Sequence, residues 1–121
     1  MKIVLGLAAL VASYTANAAF VNPMDFNGSE GQKQEVIEYI KEKVKSEYCD
    51  GAVDMCQPTT LRMMEKQNLA AFKQLTRAKN REVMDRVISD YCDSAVDMCN
   101  YVTIDMMYKQ NLKASGEALS W

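Results

Sequence analysis

Apolar residues near the middle of the first half of the chain follow a helical period. The stripe advances in steps of three or four residues, through Val36, Ile37, Ile40, Val44 and Tyr48. Steps of this size place side chains on one face of an α-helix. The opposite face carries acids and lysines three residues apart, as expected of a solvated helix face. The pattern therefore predicts an amphipathic helix.

A second helix is predicted after Pro58. Proline cannot continue a helix and biases Gln57 towards extended geometry, so the chain must turn here. Thr59 or Thr60 is expected to cap the next helix. Apolar positions beyond them again fit a helical period, so this helix is predicted to run from about Thr60 to Leu75.

The chain carries a tandem duplication. Residues 48–56 read YCDGAVDMC, and residues 91–99, 43 positions later, read YCDSAVDMC. Further identities follow at the same offset: Thr60, Met63, Met64, Lys66, Gln67, Asn68, Leu69 and Ala71 return as Thr103, Met106, Met107, Lys109, Gln110, Asn111, Leu112 and Ala114. Internal identity of this extent indicates a repeat architecture.

The duplication predicts the fold class. Apolar periodicity restarts between residues 83 and 112, and no stretch alternates as strands do. We predict an all-α protein, a small tandem duplication of two helical hairpins with about four helices. Residues 77–81 form a polar connector, for which a turn and a solvated helical bridge are both open.

The first eighteen residues are predicted to be a secretory signal peptide. Lys2 precedes a mostly apolar run, and Ala16-Asn17-Ala18 has the small-x-small pattern of a cleavage site. The run is shorter than the roughly 20 apolar residues that span a membrane. We therefore predict a periplasmic or secreted protein with no membrane contact after cleavage.

The rest of the chain is divided by composition. We predict a flexible lead-in at 19–31, helical repeats at 32–76 and 77–115, and a tail at 116–121. Trp121 is expected to fold back onto apolar surface, because burying a tryptophan is strongly favourable. The alternative is that Trp121 marks a contact with a partner.

All four cysteines lie in the repeated segment, and export makes two disulfides the expected outcome. Bonds within each repeat, Cys49–Cys56 and Cys92–Cys99, are favoured because a duplicated unit was self-sufficient before duplication. Seven residues of helix would separate the two Cα atoms by about 10.5 Å, and a disulfide needs about 4.4 to 6.8 Å. The chain between them must therefore leave helical geometry, and Asp50-Gly51 favours such a turn.

Bonds between the repeats are the alternative. On a continuous helix the two cysteines of one repeat share a face, so packed helices could be cross-linked. Parallel packing would give Cys49–Cys92 and Cys56–Cys99, and antiparallel packing would give Cys49–Cys99 and Cys56–Cys92.

Composition argues against most chemistry. The chain has no histidine, which removes the usual general base, nucleophile activator and commonest metal ligand. Lysines and arginines interleave with acids, so the basic surface of a nucleic-acid-binding protein is missing. The C-x6-C spacing differs from the C-x-x-C of thiol redox enzymes. We predict no enzymatic activity, no catalytic residue, no metal site and no cofactor.

Repeated methionines suggest an interface. Met63 and Met64 return as Met106 and Met107, and methionine supplies an adaptable contact surface. Soft thioether and thiolate ligands also select Cu(I), so a periplasmic Cu(I)-binding protein is an alternative function.

Asn68 and Asn111 are the remaining candidate interface residues. Asn68 falls on the apolar stripe of the second helix, where an unpaired amide would be costly. We expect the two asparagines to bond each other, or a backbone group, across the helix interface and to fix its register. A polar ligand between the hairpins is the alternative.

These observations predict a non-enzymatic exported protein that acts through contact with an unidentified protein partner. A holdase chaperone activated by stress is a further alternative. The sequence does not determine the oligomeric state.

Overall fold

The computed structural model describes residues 18–51, 54–93 and 97–121. These residues form four α-helices and no strand: α1 (Glu30–Cys49), α2 (Pro58–Leu75), α3 (Arg81–Cys92) and α4 (Tyr101–Ala114). A single 3-10 turn at Pro23–Asp25 precedes them. The prediction of an all-α fold built from two helical hairpins is confirmed, and the connector between the hairpins is a turn rather than a helical bridge.

Three of the helices begin at a side-chain cap. Ser29, Asn80 and Asn100 each accept a hydrogen bond from the backbone N–H three residues ahead, at 3.2, 3.0 and 2.8 Å. These bonds satisfy N–H groups that have no partner within the first turn. The caps fix where α1, α3 and α4 start.

Helix α2 begins differently. Pro58 occupies its first turn, and Gln57 before it is extended with ψ 142°, as proline requires. No side-chain cap is found there among the described residues, so the expectation that Thr59 or Thr60 would cap α2 is wrong. Proline fixes the start two or three residues earlier than capping by the threonines would.

Each repeat closes on its own disulfide. Cys49 bonds Cys56 and Cys92 bonds Cys99, with the Cα atoms 4.5 Å apart in both cases. The pairing within each repeat is confirmed, and the pairings between repeats are wrong. Since seven residues of helix would hold these atoms about 10.5 Å apart, the chain leaves the helix at each tip.

The two hairpins stack in the same orientation. The amide oxygen of Asn68 on α2 accepts a hydrogen bond from the Val102 N–H at 3.3 Å, and Gln74, further along α2, accepts one from Lys109 at 2.7 Å. Residue numbers therefore rise together along α2 and α4, and these helices run parallel. The second hairpin repeats the first beside it, as in a short solenoid.

The core lies between the four helices. Apolar side chains from all four helices are buried in it, chiefly Val36, Ile40, Val44, Ala71, Phe72, Leu75, Met84, Val87, Tyr101, Ile104 and Tyr108. Aromatic rings join the two repeats, since Phe72 of α2 meets Tyr101 of α4 with ring centroids 4.8 Å apart.

The lead-in is part of this core, which corrects the expectation of a flexible segment. Phe20 stacks on Tyr101 with centroids 5.3 Å apart and meets Tyr39 edge-on at 5.4 Å. Val21 and Pro23 are buried. The segment looked flexible because its few apolar residues show no periodicity, although Phe20 and Val21 contact Tyr101 and Phe26 meets the ring of Phe72.

The C-terminal tail, in contrast, is more exposed than predicted. Leu119 and Trp121 are fully exposed, so Trp121 does not fold back onto the chain. The predicted signal peptide lies outside the described residues, apart from Ala18. Within the described segments, none of the helices combines the length and apolar character needed to cross a membrane.

Candidate interaction surface

The four repeated methionines of α2 and α4 fall into two kinds. Met63 and Met106 are half exposed, at 51% and 49% of their full accessible area. Met64 and Met107 instead pack against the core. In each pair of adjacent methionines, one side chain therefore faces the core and the other faces solvent. Of these four, only Met63 and Met106 offer their side chains to a partner.

Comparison of the two repeats shows which positions tolerated change. Core positions have drifted in part between similar apolar residues, since Ile40 corresponds to Val83 and Leu61 to Ile104, although the buried Val44 and Val87 are identical. Several exposed helical positions are also identical. They are Ser46 and Ser89 on α1 and α3, and Met63 and Met106, Lys66 and Lys109, and Gln67 and Gln110 on α2 and α4. Packing does not explain identity at exposed positions, so these residues mark a surface rather than the core.

The identical exposed residues of α2 and α4 form one patch on each repeat, and we call these the methionine patches. Patch 1 consists of Met63, Lys66 and Gln67, and patch 2 of Met106, Lys109 and Gln110. Residues three and four positions apart are neighbours on a helix surface. Since α2 and α4 run parallel, the two patches lie on neighbouring helices that run in the same direction.

The patches differ in how their lysines are held. Lys109 donates to Gln74 at 2.7 Å and forms an ion pair with Asp105 at 3.1 Å. Lys66 lies instead beside the groove between α1 and α2, near Ile40 and Leu69. The ammonium groups are therefore oriented by different neighbours, whereas the methionine and glutamine side chains are exposed in both repeats.

The two asparagines have different environments, although their repeat positions are the same. Asn68 is buried and donates to the Met64 carbonyl at 2.9 Å, while its oxygen accepts the Val102 N–H. Asn111 makes the same donation, to the Met107 carbonyl at 2.8 Å, but is exposed. The two amides thus do not bond each other. Asn68 bonds a backbone group across the interface, which was the other expected arrangement.

The second loop, residues 97–100, packs against α1. Asp97 forms an ion pair with Lys43, the Tyr39 hydroxyl donates to the Cys99 carbonyl at 2.5 Å, and Asn100 donates to Glu47 at 3.2 Å: three contacts within three turns of α1. Cys99 is buried as a result. These contacts join the second loop to α1, in addition to the more extensive packing of α2 against α4 between the repeats.

Charges at this contact shift one another's protonation. The hydrogen bond from Lys43 lowers the pKa of Asp97. Burial raises the pKa of Glu47, against the opposing effects of its hydrogen bond to Asn100 and the nearby Lys43 ammonium. Burial, followed by the negative charges of Asp97 and Glu47, raises the pKa of Tyr39. Tyr39 is therefore a neutral hydrogen-bond donor at neutral pH.

The first loop, residues 54–57, has the same local structure without this packing. Asp54 accepts the Cys56 N–H at 3.2 Å, as Asp97 accepts the Cys99 N–H at 3.4 Å. Unlike the second loop, the first loop is exposed at every residue, Cys56 included.

The cysteines limit metal chemistry. All four are held in the two disulfides, so none offers a thiolate. Within the described residues, no group of three His, Cys, Asp or Glu side chains converges as a metal site would. A Cu(I) site in the oxidised protein would therefore have to be built from methionine thioethers.

Comparison with known proteins gives no relative from which function can be transferred. No protein-family model, curated protein or solved structure matches the chain. Function must therefore be argued from the geometry of this chain.

Proposed function

We propose that this chain is an exported, non-enzymatic protein that acts by binding another protein through its methionine patches. The observation that carries the proposal is that Met63 and Met106, together with the glutamines one turn away, are both exposed and identical in the two repeats. Exposed identity in a duplicated fold is expected where each copy contacts the same kind of surface.

The chemistry of the patches suits a protein partner. A methionine side chain is unbranched and polarisable, so it adapts to irregular apolar surfaces. The neighbouring glutamine and lysine add hydrogen bonding and charge around it. Two such patches on one rigid stack would bind a partner with two matching sites more tightly than either patch alone.

The compartment supports this reading. Two disulfides indicate an oxidising environment outside the cytoplasm. With the signal-peptide pattern at residues 1–18, they support delivery to the periplasm or the medium. A small stapled fold that presents contact residues is consistent with a binding role in such a compartment.

Site-specific photo-crosslinking in the exporting cell tests the proposal. A photoreactive residue is placed at Gln67 in one variant and at Gln110 in another. Gln34, an exposed helical glutamine of α1 with no identical counterpart in the second repeat, provides the matched control position. We expect Gln67 and Gln110 to capture the same protein and Gln34 to capture none of it.

A second pair of variants links the capture to the methionines. Met63→Gln with Met106→Gln removes the apolar centre of both patches, whereas Ile37→Gln changes an exposed apolar residue outside them. We expect the first change to abolish the shared crosslink and the second to leave it unchanged. Equal capture by all three crosslinker positions, or equal loss from both variants, would contradict the proposal.

A further inference from the structure

The ion pair that joins the repeats has exposed counterparts elsewhere on the chain. Inside the molecule, Lys43 of α1 pairs with Asp97 of the second loop. At the equivalent repeat positions stand Arg86 on α3 and Asp54 in the first loop. Both are exposed, and neither has an ion-pair partner in the described part of the chain. A positive charge on α3 and a negative charge on the first loop therefore repeat, on the surface of the molecule, the charges of the internal ion pair.

The second polar contact has counterparts of the same kind. Inside the molecule, Asn100 of the second loop donates to Glu47 of α1 at 3.2 Å. The equivalent residues are Gln57 in the first loop and Asp90 on α3, both exposed. The exposed Gln57 amide and Asp90 carboxylate are therefore able to form the same type of hydrogen bond.

The third contact concerns a helix start. Asn68 accepts the Val102 N–H, which lies in the first turn of α4, where backbone N–H groups have no partner within the helix. The equivalent pair is Asn111, with its amide already oriented by the Met107 carbonyl, and Thr59. Thr59 lies in the first turn of α2, the helix that lacks a side-chain cap among the described residues.

We propose that copies of this chain associate head to tail. The first loop and the start of α2 of one copy would dock on α3 and the end of α4 of the next. In this arrangement Asp54 meets Arg86, Gln57 meets Asp90, and Asn111 accepts the Thr59 N–H. The contact between molecules continues the stack that the two repeats form within one molecule.

Differences between the repeats set the strength of this association. The internal contact is filled by aromatic rings, including the buried pair Phe72 and Tyr101. Their repeat equivalents are Ser115 and Pro58. The bond that Tyr39 makes inside the molecule is lost as well, because Glu82 stands at its repeat position. The intermolecular contact therefore has three of the internal polar interactions without the aromatic core, and it is weak and reversible. The two surfaces that meet in this contact are different. Each added copy therefore uses one surface and leaves the other exposed for the next copy, so assembly continues beyond a dimer.

A charge exchange tests the proposal. Sedimentation equilibrium of the oxidised protein, purified from the exported fraction, at increasing concentration is expected to show an average mass that rises above that of one copy. Arg86→Asp and Asp54→Arg each place like charges in the contact, and each is expected to raise the dissociation constant by roughly tenfold or more. An equal mixture of the two variants restores opposite charges, so association returns.

Two controls separate this interface from general charge effects and misfolding. Arg77→Asp makes the same change of charge at an exposed position in the connector between α2 and α3, and is expected to leave association unchanged. Asn111→Ala is expected to weaken association without lowering the unfolding temperature. Circular dichroism and thermal unfolding establish that each variant is folded.

Three results would overturn the proposal. A constant single-copy mass of the wild type at all concentrations is one, and equal weakening by Arg77→Asp and Arg86→Asp is another. A mixture of the charge-exchanged variants that stays monomeric is the third. The interface residues lie outside the methionine patches, so these results leave the proposed partner binding to be judged by its own crosslinks.

Discussion

Tyr101 and Val21 are joined by two hydrogen bonds across 80 residues of sequence. The Tyr101 hydroxyl donates to the Val21 carbonyl at 2.8 Å and accepts from the Val21 N–H at 3.2 Å. Both residues are buried, so water cannot replace either bond. One phenol thus holds the lead-in on the second repeat and satisfies both backbone groups of Val21.

Replacing this hydroxyl is expected to destabilise the fold. Tyr101→Phe leaves the Val21 N–H and carbonyl buried without a partner, so the free energy of unfolding should fall by about 1–3 kcal/mol. The matched change Tyr48→Phe, at a half-buried tyrosine, should cost less than about 0.5 kcal/mol. Urea unfolding followed by circular dichroism measures the free energy of unfolding of both variants. Equal losses would show that the two hydrogen bonds between Tyr101 and Val21 are unimportant.

The two asparagines should respond differently to the same substitution. Asn68→Ala leaves the Val102 N–H without its acceptor and opens space in a buried position. We expect a loss of about 1–3 kcal/mol. Asn111→Ala, at an exposed position, should change the free energy of unfolding by less than about 0.5 kcal/mol. Chemical unfolding at a concentration where the protein is monomeric is the measurement. Similar losses from both variants would contradict the difference in burial.

The two disulfides should open in a fixed order. Cys56 is exposed, whereas Cys99 is buried beneath the contact of the second loop with α1. Attack by a thiolate reagent depends on access to a sulfur. We therefore expect Cys49–Cys56 to be reduced first, leaving an intermediate that retains Cys92–Cys99.

Alkylation after brief exposure to dithiothreitol, followed by peptide mapping, identifies that intermediate. In the chain-entropy model each short loop closure contributes about 2–3 kcal/mol. Replacing Cys92 and Cys99 by alanine should lower the free energy of unfolding more than replacing Cys49 and Cys56 does. Only the loss of Cys92–Cys99 also loosens the packing of the second loop on α1. Reduction of both bonds at one rate would contradict the predicted difference in access.

Asp97 and Glu47 should shift the pH dependence of stability in opposite directions. The lowered pKa of Asp97 means that its contribution is present above the ordinary aspartate pKa and is lost as pH falls through the lower value in the fold. Asp97→Asn should therefore reduce stability at pH 7, by about 1 kcal/mol or less because the Asp97 side chain is largely exposed, and have little effect at pH 2.

Glu47 has the opposite sign. Its raised pKa means that the charged form is disfavoured in the fold, so stability increases as pH falls through that value. Glu47→Gln keeps an acceptor for Asn100 and should stabilise the protein at pH 7 but not below pH 4. Asp54→Asn, at the repeat position without a lysine partner, is the control. Thermal unfolding between pH 2 and 7 would contradict this account if both variants shifted in the same direction.

Periodicity was sufficient to predict the helices. The duplication favoured disulfides within each repeat, whereas periodicity and bond geometry left pairings between the repeats open. Periodicity identifies the apolar face of a helix but not what that face packs against. Asn68 and Asn111 have the same neighbours in sequence, yet only Asn68 is buried, because two repeats create one internal interface. The packing of Phe20 and the exposure of Trp121 were missed for a related reason: isolated apolar residues carry no periodic signal, and their position depends on the rest of the fold.

The bridge between Val21 and Tyr101 also bears on how the chain reaches this structure. Contacts between residues far apart in sequence slow folding, because a long loop must close before they stabilise anything. The lead-in can settle only after the last helix has been made, so the first hairpin cannot finish folding on its own. Descended from a unit that was duplicated, the two halves now fold together, and we expect them to unfold in a single transition.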